Sequence, residues 1–309
     1  MKLATLELGG RQLPALFLDD GRICDLQAFA QAAPPATLPF PWPETGRLTM
    51  IDLAAGGAAT WAWCRDIAAV ADAHLIQPGS YRLLAPIPRP PKNIFCLGRN
   101  YREHIQEDNA SRNLDTDVPE HPQFFTKPWT AIVPHEGAIR YDQRVTRRLD
   151  YEVELAVVIG QGGRDIAETD ASSHIFGYTL LNDISARDLQ KRHDQWFKGK
   201  AIDGSCPFGP WIVSPEAVGD PHALRISLKV NGEQRQDAST GAMIFSVPRS
   251  IASLSSGLTL EPGDVIATGT PSGVGYAMNP RQWLKDGDVI ECEIEKIGKL
   301  VNRVEEVIN

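Results

Sequence analysis

The sequence contains no long hydrophobic run, and this absence excludes one large class of proteins. Its apolar stretches, such as residues 155–159, are far shorter than the ~20 residues that a membrane-spanning helix needs. The first residues reach an acid and two glycines before an apolar segment can develop, so we expect no signal peptide. The sequence therefore predicts a protein that neither crosses nor binds a membrane.

Cysteine is scarce, and its spacing excludes a disulfide framework and a zinc site. The chain has five cysteines, which are widely scattered and include no C-x-x-C pair. An odd number of isolated cysteines is typical of reduced thiols. We therefore expect a cytoplasmic protein.

Positive charge is also in short supply. Lys and Arg number 31 against 39 Asp and Glu, which gives a net charge of −8. An acidic chain repels phosphate, so we expect no binding to nucleic acid. Hydrophobic residues make up 42% and charged residues 23%, values that exclude intrinsic disorder as the main state.

Several common catalytic motifs are missing. Neither Gly199-Lys200 nor Gly298-Lys299 has the Ser or Thr and the glycine spacing of a P-loop. The sequence has no H-E-x-x-H zinc motif and no G-x-S-x-G nucleophile elbow. The glycine-rich residues 269–275 are not followed by a helical pattern, which argues against a dinucleotide site.

Proline clusters and strand patterns divide the chain into two predicted domains. Residues 1–85 are interpreted as a small N-terminal α/β domain with strands at 3–8 and 13–18, the second of which is followed by a hairpin turn at Asp19-Asp20-Gly21. A proline-rich segment then opens the second and larger domain, residues 86–309. Many short strands with few helices predict a β-rich α+β fold, not a doubly wound parallel sheet.

Two glutamates at the start of an apolar strand form the first candidate site. Alternate residues of a strand share a face, so Glu152 and Glu154 point the same way. Their charges repel each other, and a hard cation such as Mg²⁺ or Mn²⁺ would remove the conflict. A solvated strand face would accept both glutamates as well, so this pattern leaves both interpretations open.

A third carboxylate, Asp183, ends an apolar run just before a predicted helix, where metal ligands and active-site groups are common. It could also cap that helix, and the two roles are compatible. On the helix itself, Arg187 and Gln190 are three residues apart and share a face. That face could hold a carboxylate or carbonyl group, or it could simply face solvent.

His104 and Glu107 are three residues apart in a polar segment. On a helical turn they would touch, and a carboxylate beside an imidazole orients it as a base able to deprotonate water. The same spacing is frequent on surface helices, so the pair alone does not identify a catalytic site.

Together these motifs resemble the fumarylacetoacetate hydrolase family, in particular bacterial acylpyruvate hydrolases and 2-hydroxyhepta-2,4-diene-1,7-dioate isomerases. The resemblance covers about residues 93–304 in the family's order and spacing, and the first eighty or so residues resemble the variable N-terminal domain of its bacterial members. The motifs that carry it are Gly98-Arg99-Asn100-Tyr101 with His104 and Glu107, Asp150-Tyr151-Glu152-Val153-Glu154, Asn182-Asp183-Ile184-Ser185-Ala186-Arg187-Asp188-Leu189-Gln190, Lys198-Gly199-Lys200 ahead of Cys206-Pro207-Phe208-Gly209-Pro210-Trp211, and Gly263-Asp264-Val265-Ile266-Ala267-Thr268-Gly269-Thr270-Pro271.

The resemblance implies a mixed β-sandwich or rolled β-barrel core and a divalent metal, Mg²⁺ or Mn²⁺, with Ca²⁺ as a substitute in crystals. Carried over by position, the metal ligands are Glu152, Glu154 and Asp183. The dyad that activates water is His104 and Glu107, on a segment that closes over the substrate.

Four further positions match contacts with the substrate or its enolate. Lys200 corresponds to a catalytic residue that stabilises the enolate, and Arg187, Gln190 and Thr270 correspond to substrate-binding residues. The resemblance also implies a small 2-oxo acid as substrate, and we expect a homodimer.

The predicted reaction is hydrolytic cleavage of the C–C bond of an acylpyruvate or a related 1,3-diketo acid, with water delivered by His104. The alternative is an oxaloacetate-type decarboxylase or a hydroxymuconate-type isomerase, which uses the same metal and enolate without a hydrolytic water. A non-catalytic metal- or ligand-binding protein would be expected to lack a ligand or half of the dyad, and this sequence has all of them.

Two features depart from the family pattern. An extra polar stretch occupies about residues 109–117, and Trp129 stands where relatives usually have a smaller residue. If Trp129 lines the pocket, it narrows the distal substrate site. The whole segment 101–122 is polar and poor in apolar anchors, so we expect a lid that is mobile without ligand.

Overall fold

Strands dominate the computed structural model, which describes residues 1–33, 35–70, 73–112 and 115–307. The strands are β1 Lys2–Leu8, β2 Arg11–Phe17, β3 Ile23–Asp25, β4 Arg82–Leu83, β5 Ile94–Gly98, β6 Gln123–Lys127, β7 Ile132–Val133, β8 Ala138–Tyr141, β9 Leu149–Asp150, β10 Val153–Ile159, β11 Ile175–Asn182, β12 Ser185–Ala186, β13 Cys206–Val213, β14 Arg225–Val230, β15 Glu233–Ser239, β16 Val265–Ala267, β17 Val289–Ile294 and β18 Gly298–Glu306. The helices are α1 Leu26–Ala32, α2 Met50–Ala55, α3 Gly57–Ala69, α4 Arg102–Arg112, α5 Arg187–Arg192, α6 Phe197–Lys200, α7 Pro215–Val218 and α8 Val247–Ser255.

Two large sheets form the framework. The larger runs in the order β3-β2-β1-β13-β11-β10-β16-β5-β6, with β4 on β1 and β7 on β13, and the smaller in the order β15-β14-β17-β18-β8. A two-stranded ladder joins β9 and β12. This confirms the predicted β-rich α+β class. Within the described ranges both sheets remain open, so the implied rolled barrel does not close.

Strand β10 lies near the middle of the larger sheet and separates two hydrophobic cores. All seven of its residues are buried, as expected for a strand covered on both faces. Leu155 and Val157 pack into a core shared with the smaller sheet. Ala156 and Val158 face the opposite core, which is covered by α2 and α3. Because the side-chain period is two, Glu154 lies on the α2–α3 side of the sheet.

The N-terminal strands continue the same sheet, since Lys2 of β1 pairs with Val213 of β13. Helix α3 is tied to the sheet by Trp61, whose indole N–H donates to the carbonyl of Phe176 at 2.8 Å. The domain boundary near residue 85 stays a prediction. Among the described helices, none has the length and apolar character required to cross a bilayer.

Candidate active site

The three predicted metal ligands meet where β10 begins and β11 ends. Val153 pairs with Asn182, and the backbone N–H of Asp183 donates to the carbonyl of Glu152 at 2.8 Å. One carboxylate oxygen from each of Glu152, Glu154 and Asp183 lies within 4.8 Å of the others, and all three residues are buried.

This donor set fits a hard divalent cation, because it consists only of carboxylate oxygens held close together out of water. The two glutamates do not lie on a solvated strand face, which was the other interpretation that the sequence left open. The triad can therefore bind a divalent metal.

Arg187 and Lys200 are two of the buried cations that contact the triad. The Arg187 Nη2 donates to Glu152 Oε1 at 2.6 Å, and its Nε donates to Asp150 Oδ2 at 2.9 Å. The Lys200 ammonium contacts both Asp183 Oδ2, at 2.5 Å, and Glu152 Oε2. Burial alone would favour the neutral acid at Glu152, but Arg187 and Lys200 hold its pKa well below the ordinary value.

Glu154 has a different environment. Its Oε2 accepts a hydrogen bond from the backbone N–H of Gly269 at 2.8 Å. Burial, followed by the charges of Asp183 and Glu152, raises the pKa of Glu154 well above its ordinary value. A divalent cation would supply the positive charge that favours ionised Glu154.

The predicted dyad forms on α4. His104 Nδ1 lies 2.8 Å from Glu107 Oε1, and Glu107 Oε2 accepts the backbone N–H of Gly273 at 2.8 Å. Because a carboxylate only accepts, the Nδ1 carries the proton and Nε2 of the neutral ring is free to take up another. His104 lines the same cavity as the triad, so the pair is placed for proton transfer there.

The predicted substrate-binding residues also line this cavity, but their side chains already have partners. Gln190 Oε1 accepts from Arg187 Nη1 at 3.1 Å. The Thr270 hydroxyl donates to the carbonyl of Val153 at 2.9 Å and accepts from Gln236 Nε2 at 2.9 Å. These bonds position the residues, and their contact with a substrate stays a prediction.

Lys127 is a site residue that the sequence analysis missed. It is fully buried, and its ammonium donates to Asp183 Oδ1 at 2.8 Å, to the carbonyl of Ile184 at 3.1 Å, and to the Lys200 carbonyl. Lys127 thus holds Asp183, one of the predicted metal ligands, and the backbone of Lys200. A lysine at the end of a strand carries no sequence signal that separates this role from a surface position.

Asp150 is a second site residue that the sequence analysis missed, although it belongs to the motif that carries the resemblance. It is fully buried and accepts backbone N–H groups of Gly275 and Tyr276 as well as the Arg187 guanidinium. Asp150 therefore ties the start of β10 to the loop that faces α4. The sequence signal that could have identified Asp150 as a site residue was its position two residues before Glu152.

Arg99 lies at the rim of the site in a left-handed backbone conformation, with φ of 56°. Its side chain lines the cavity, and its Nη2 donates to the Thr116 hydroxyl. Its buried Nε has no hydrogen-bond partner in the described ranges. An unpaired buried donor in the cavity of the carboxylate triad is suited to an anionic ligand.

Helix α4 covers the site and is docked on residues 272–281. Tyr276 donates its hydroxyl proton to Asp108 Oδ1 at 2.6 Å, and Ser272 donates to Glu103 Oε2 at 3.2 Å. In the extra polar stretch, the Asn109 amide donates to the Thr116 carbonyl at 2.9 Å. Residues 113 and 114 of that stretch lie outside the described ranges. The mobility of the lid stays a prediction.

Trp129 does not narrow the site. It is 41% exposed, and its ring lies 4.0 Å from the Arg89 guanidinium carbon. Among the described residues that line the cavity, a different tryptophan, Trp196, takes part.

Comparison with known proteins identifies similar sequences and structures. Residues 93–305 match the family model described as fumarylacetoacetate (FAA) hydrolase C-terminal. The oxaloacetate tautomerase YisK of Bacillus subtilis is 44% identical over 312 aligned positions, which cover 98% of this chain and 100% of YisK. The mitochondrial oxaloacetate tautomerase FAHD2A of Bos taurus is 38% identical over 310 positions, covering 98% of this chain and 91% of that protein. The solved fumarylacetoacetate hydrolase from psychrophilic Exiguobacterium antarcticum is 37% identical with a TM-score of 0.79, covering 99% of this chain and 100% of that chain.

Proposed function

Because the chain belongs to the fumarylacetoacetate hydrolase family, we propose that it is a divalent-metal-dependent enzyme that interconverts the keto and enol forms of a short 2-oxo acid of the oxaloacetate type. The observation that carries the proposal is one cavity lined by both the carboxylate triad and His104, whose Nδ1 is held by Glu107. The names of the two similar tautomerases support this reaction over C–C hydrolysis.

Glu152, Glu154 and Asp183 would hold the cation, which we propose to be Mg²⁺ or Mn²⁺. When bound, it would supply Lewis-acid stabilisation for the negative charge that develops on the substrate oxygen. Arg99, with its unpaired Nε, would bind a substrate carboxylate.

His104 and Lys200 would divide the proton transfer between them. His104 Nε2 takes the proton from carbon 3 of the keto form, the C–H electron pair becomes the C2–C3 double bond, and the carbonyl pair moves onto oxygen. Lys200 then donates a proton to that oxygen. Burial disfavours its charged form, but Asp183 and Glu152 raise the pKa of Lys200, which keeps it protonated as a donor. The reverse reaction uses the same groups.

The test is hydrogen exchange at carbon 3 of oxaloacetate in D₂O with Mg²⁺, followed by NMR. The wild type should accelerate exchange over Mg²⁺ alone, and His104→Asn should slow it by about 100-fold or more, because asparagine cannot act as a base. The control is His193→Asn, at an exposed position just after α5. Wild-type exchange no faster than that with Mg²⁺ alone would reject the proposal.

A second candidate, hydrolysis of acylpyruvates, is favoured by the same unprotonated Nε2, which could deprotonate water as well as carbon. The structural similarity to a fumarylacetoacetate hydrolase supports it. Incubation with acetylpyruvate distinguishes it, because hydrolysis yields pyruvate and acetate whereas enolisation yields no new carbon skeleton. Release of CO₂ from oxaloacetate would identify the decarboxylase alternative. The homodimer and the cytoplasmic location remain predictions.

A further inference from the structure

We propose that Trp196 sets the upper limit on substrate size, so that the cavity accepts short 2-oxo acids and rejects acylpyruvates with long acyl chains. The inference rests on the proposed function and adds to it the substrate class. It concerns the part of the cavity wall that Gly98, Phe125 and Trp196 form.

In this wall, the Trp196 indole packs directly against the backbone of Gly98. A Cβ atom on Gly98, the last residue of β5, would lie only 2.1 Å from the Trp196 ring. Phe125 of β6 packs edge-on against the same indole, with ring centroids 5.7 Å apart and planes at 76°. Gly98, Phe125 and Trp196 all line the cavity that contains the triad.

The backbone of Trp196 is fixed by the first turn of α6. The Trp196 carbonyl accepts the backbone N–H groups of Gly199 at 2.9 Å and Lys200 at 3.2 Å, so Trp196 begins the turn that carries Lys200. Gly199 packs against α5 so closely that a Cβ there would lie 2.6 Å from the backbone nitrogen of Gln190. The backbone of Trp196 therefore cannot shift away from the cavity without moving Lys200.

The remaining space is small. The cavity measures about 60 Å³, and one water molecule occupies roughly 10–15 Å³ in this measure, so it has room for only a handful of waters. Arg99 and Asp108 also line the cavity, and a hydrocarbon chain laid against them would take charged groups out of water. The apolar wall of Phe125 and Trp196 is the favourable direction for an acyl chain, and the indole blocks it.

The experiment measures C3 hydrogen exchange for oxaloacetate and for a series of 2,4-dioxo acids with acyl chains of increasing length. Trp196→Ala should raise kcat/KM for the longest acid relative to oxaloacetate by about ten-fold or more, because space for several methylenes is created. Trp196→Phe should shift the ratio the same way by less. The control is Trp129→Ala, which removes the exposed tryptophan that does not line the cavity and should leave the ratio unchanged.

A second set of variants tests the same proposal in case Trp196→Ala fails to fold. Gly98→Ala should push the indole into the cavity and lower kcat/KM most for the longer acids, since its Cβ has no room beside Trp196. Combining Gly98→Ala with Trp196→Ala should restore kcat/KM for the longer acids. Affinity for oxalate, measured by calorimetry with Mg²⁺, reports whether the metal site of each variant is intact.

The outcomes separate this inference from the proposed function. Chain-length preference that stays unchanged in Trp196→Ala and Gly98→Ala, with oxalate binding retained, would overturn the role of Trp196 while leaving enolisation intact. A wild type that exchanges the C3 hydrogen of no 2-oxo acid would instead reject the proposed function.

Discussion

The two sides of the cavity are built in different ways. On one side, the buried carboxylates Glu152, Glu154 and Asp183 are placed by the pairing of two central strands. On the other side, His104 is carried by α4, which rests on residues 272–281 through a few polar contacts. Changes on the sheet side should therefore disturb metal binding and stability, whereas changes on the helix side should disturb proton transfer alone.

The largest effect should come from the centre of the sheet side. Glu152→Ala should lower Mg²⁺ affinity by more than about 100-fold and activity with it, because two carboxylates hold Mg²⁺ poorly against its water shell. The change also leaves Arg187 and Lys200 short of a partner. Calorimetric titration of Mg²⁺ measures the loss, and Glu44→Ala at an exposed position is the control. Equal affinities in wild type and Glu152→Ala would exclude Glu152 as a ligand.

Lys127→Met tests a buried residue that contacts one of the predicted metal ligands, Asp183. It removes the buried ammonium from Asp183 and should lower the free energy of unfolding by about 3–5 kcal/mol. It should also weaken Mg²⁺ binding by about 10- to 100-fold. Urea unfolding and calorimetry measure the two effects, with the exposed Lys229→Met on β14 as control. A destabilised variant with unchanged Mg²⁺ affinity would show that Lys127 supports the fold without orienting Asp183.

The sequence predicted the sheet side well where the signal was local. Alternation along β10 placed Glu152 and Glu154 on one face, because a period of two needs only neighbouring residues. The spacing of His104 and Glu107 likewise predicted their contact within one helical turn.

Contacts between distant elements were not predictable in this way. Lys127 meets Asp183 across 56 residues of sequence, and Gly98 at the end of β5 meets Trp196, the residue before α6, only because the fold brings the two segments together. Strand order and register decide such contacts, and a single sequence does not encode them in any local pattern. Trp129 is larger than the residue that relatives usually have there, which raised the possibility that it narrows the substrate site. Its exposure shows that an unusual residue need not lie in the site.

A pH titration sharpens the comparison within the triad itself. Because the pKa of Glu154 is raised, this carboxyl holds its proton below that pKa and cannot serve as a ligand. Its proton is lost as the pH rises through that value, so Mg²⁺ affinity should increase with pH, by at most about ten-fold per unit for one competing proton. Glu152, whose pKa is lowered, should not compete near neutrality. Calorimetry in two buffers of different ionisation enthalpy counts the protons released, and a pH-independent affinity would contradict the assignment.

The smallest effect should come from the helix side. Tyr276→Phe removes the hydroxyl that donates to Asp108 on α4 but keeps the ring that lies 4.4 Å from the Arg187 guanidinium carbon. Loss of one such hydrogen bond costs about 1 kcal/mol, so kcat/KM should fall by about five-fold. Hydrogen exchange should increase across 102–112 and stay unchanged in β10, and Mg²⁺ affinity should not change. Tyr81→Phe, in the N-terminal part of the chain, is the control. If Mg²⁺ affinity fell together with activity in Tyr276→Phe, the two sides of the cavity would be coupled through Arg187, and the division between a metal side and a proton-transfer side would be wrong.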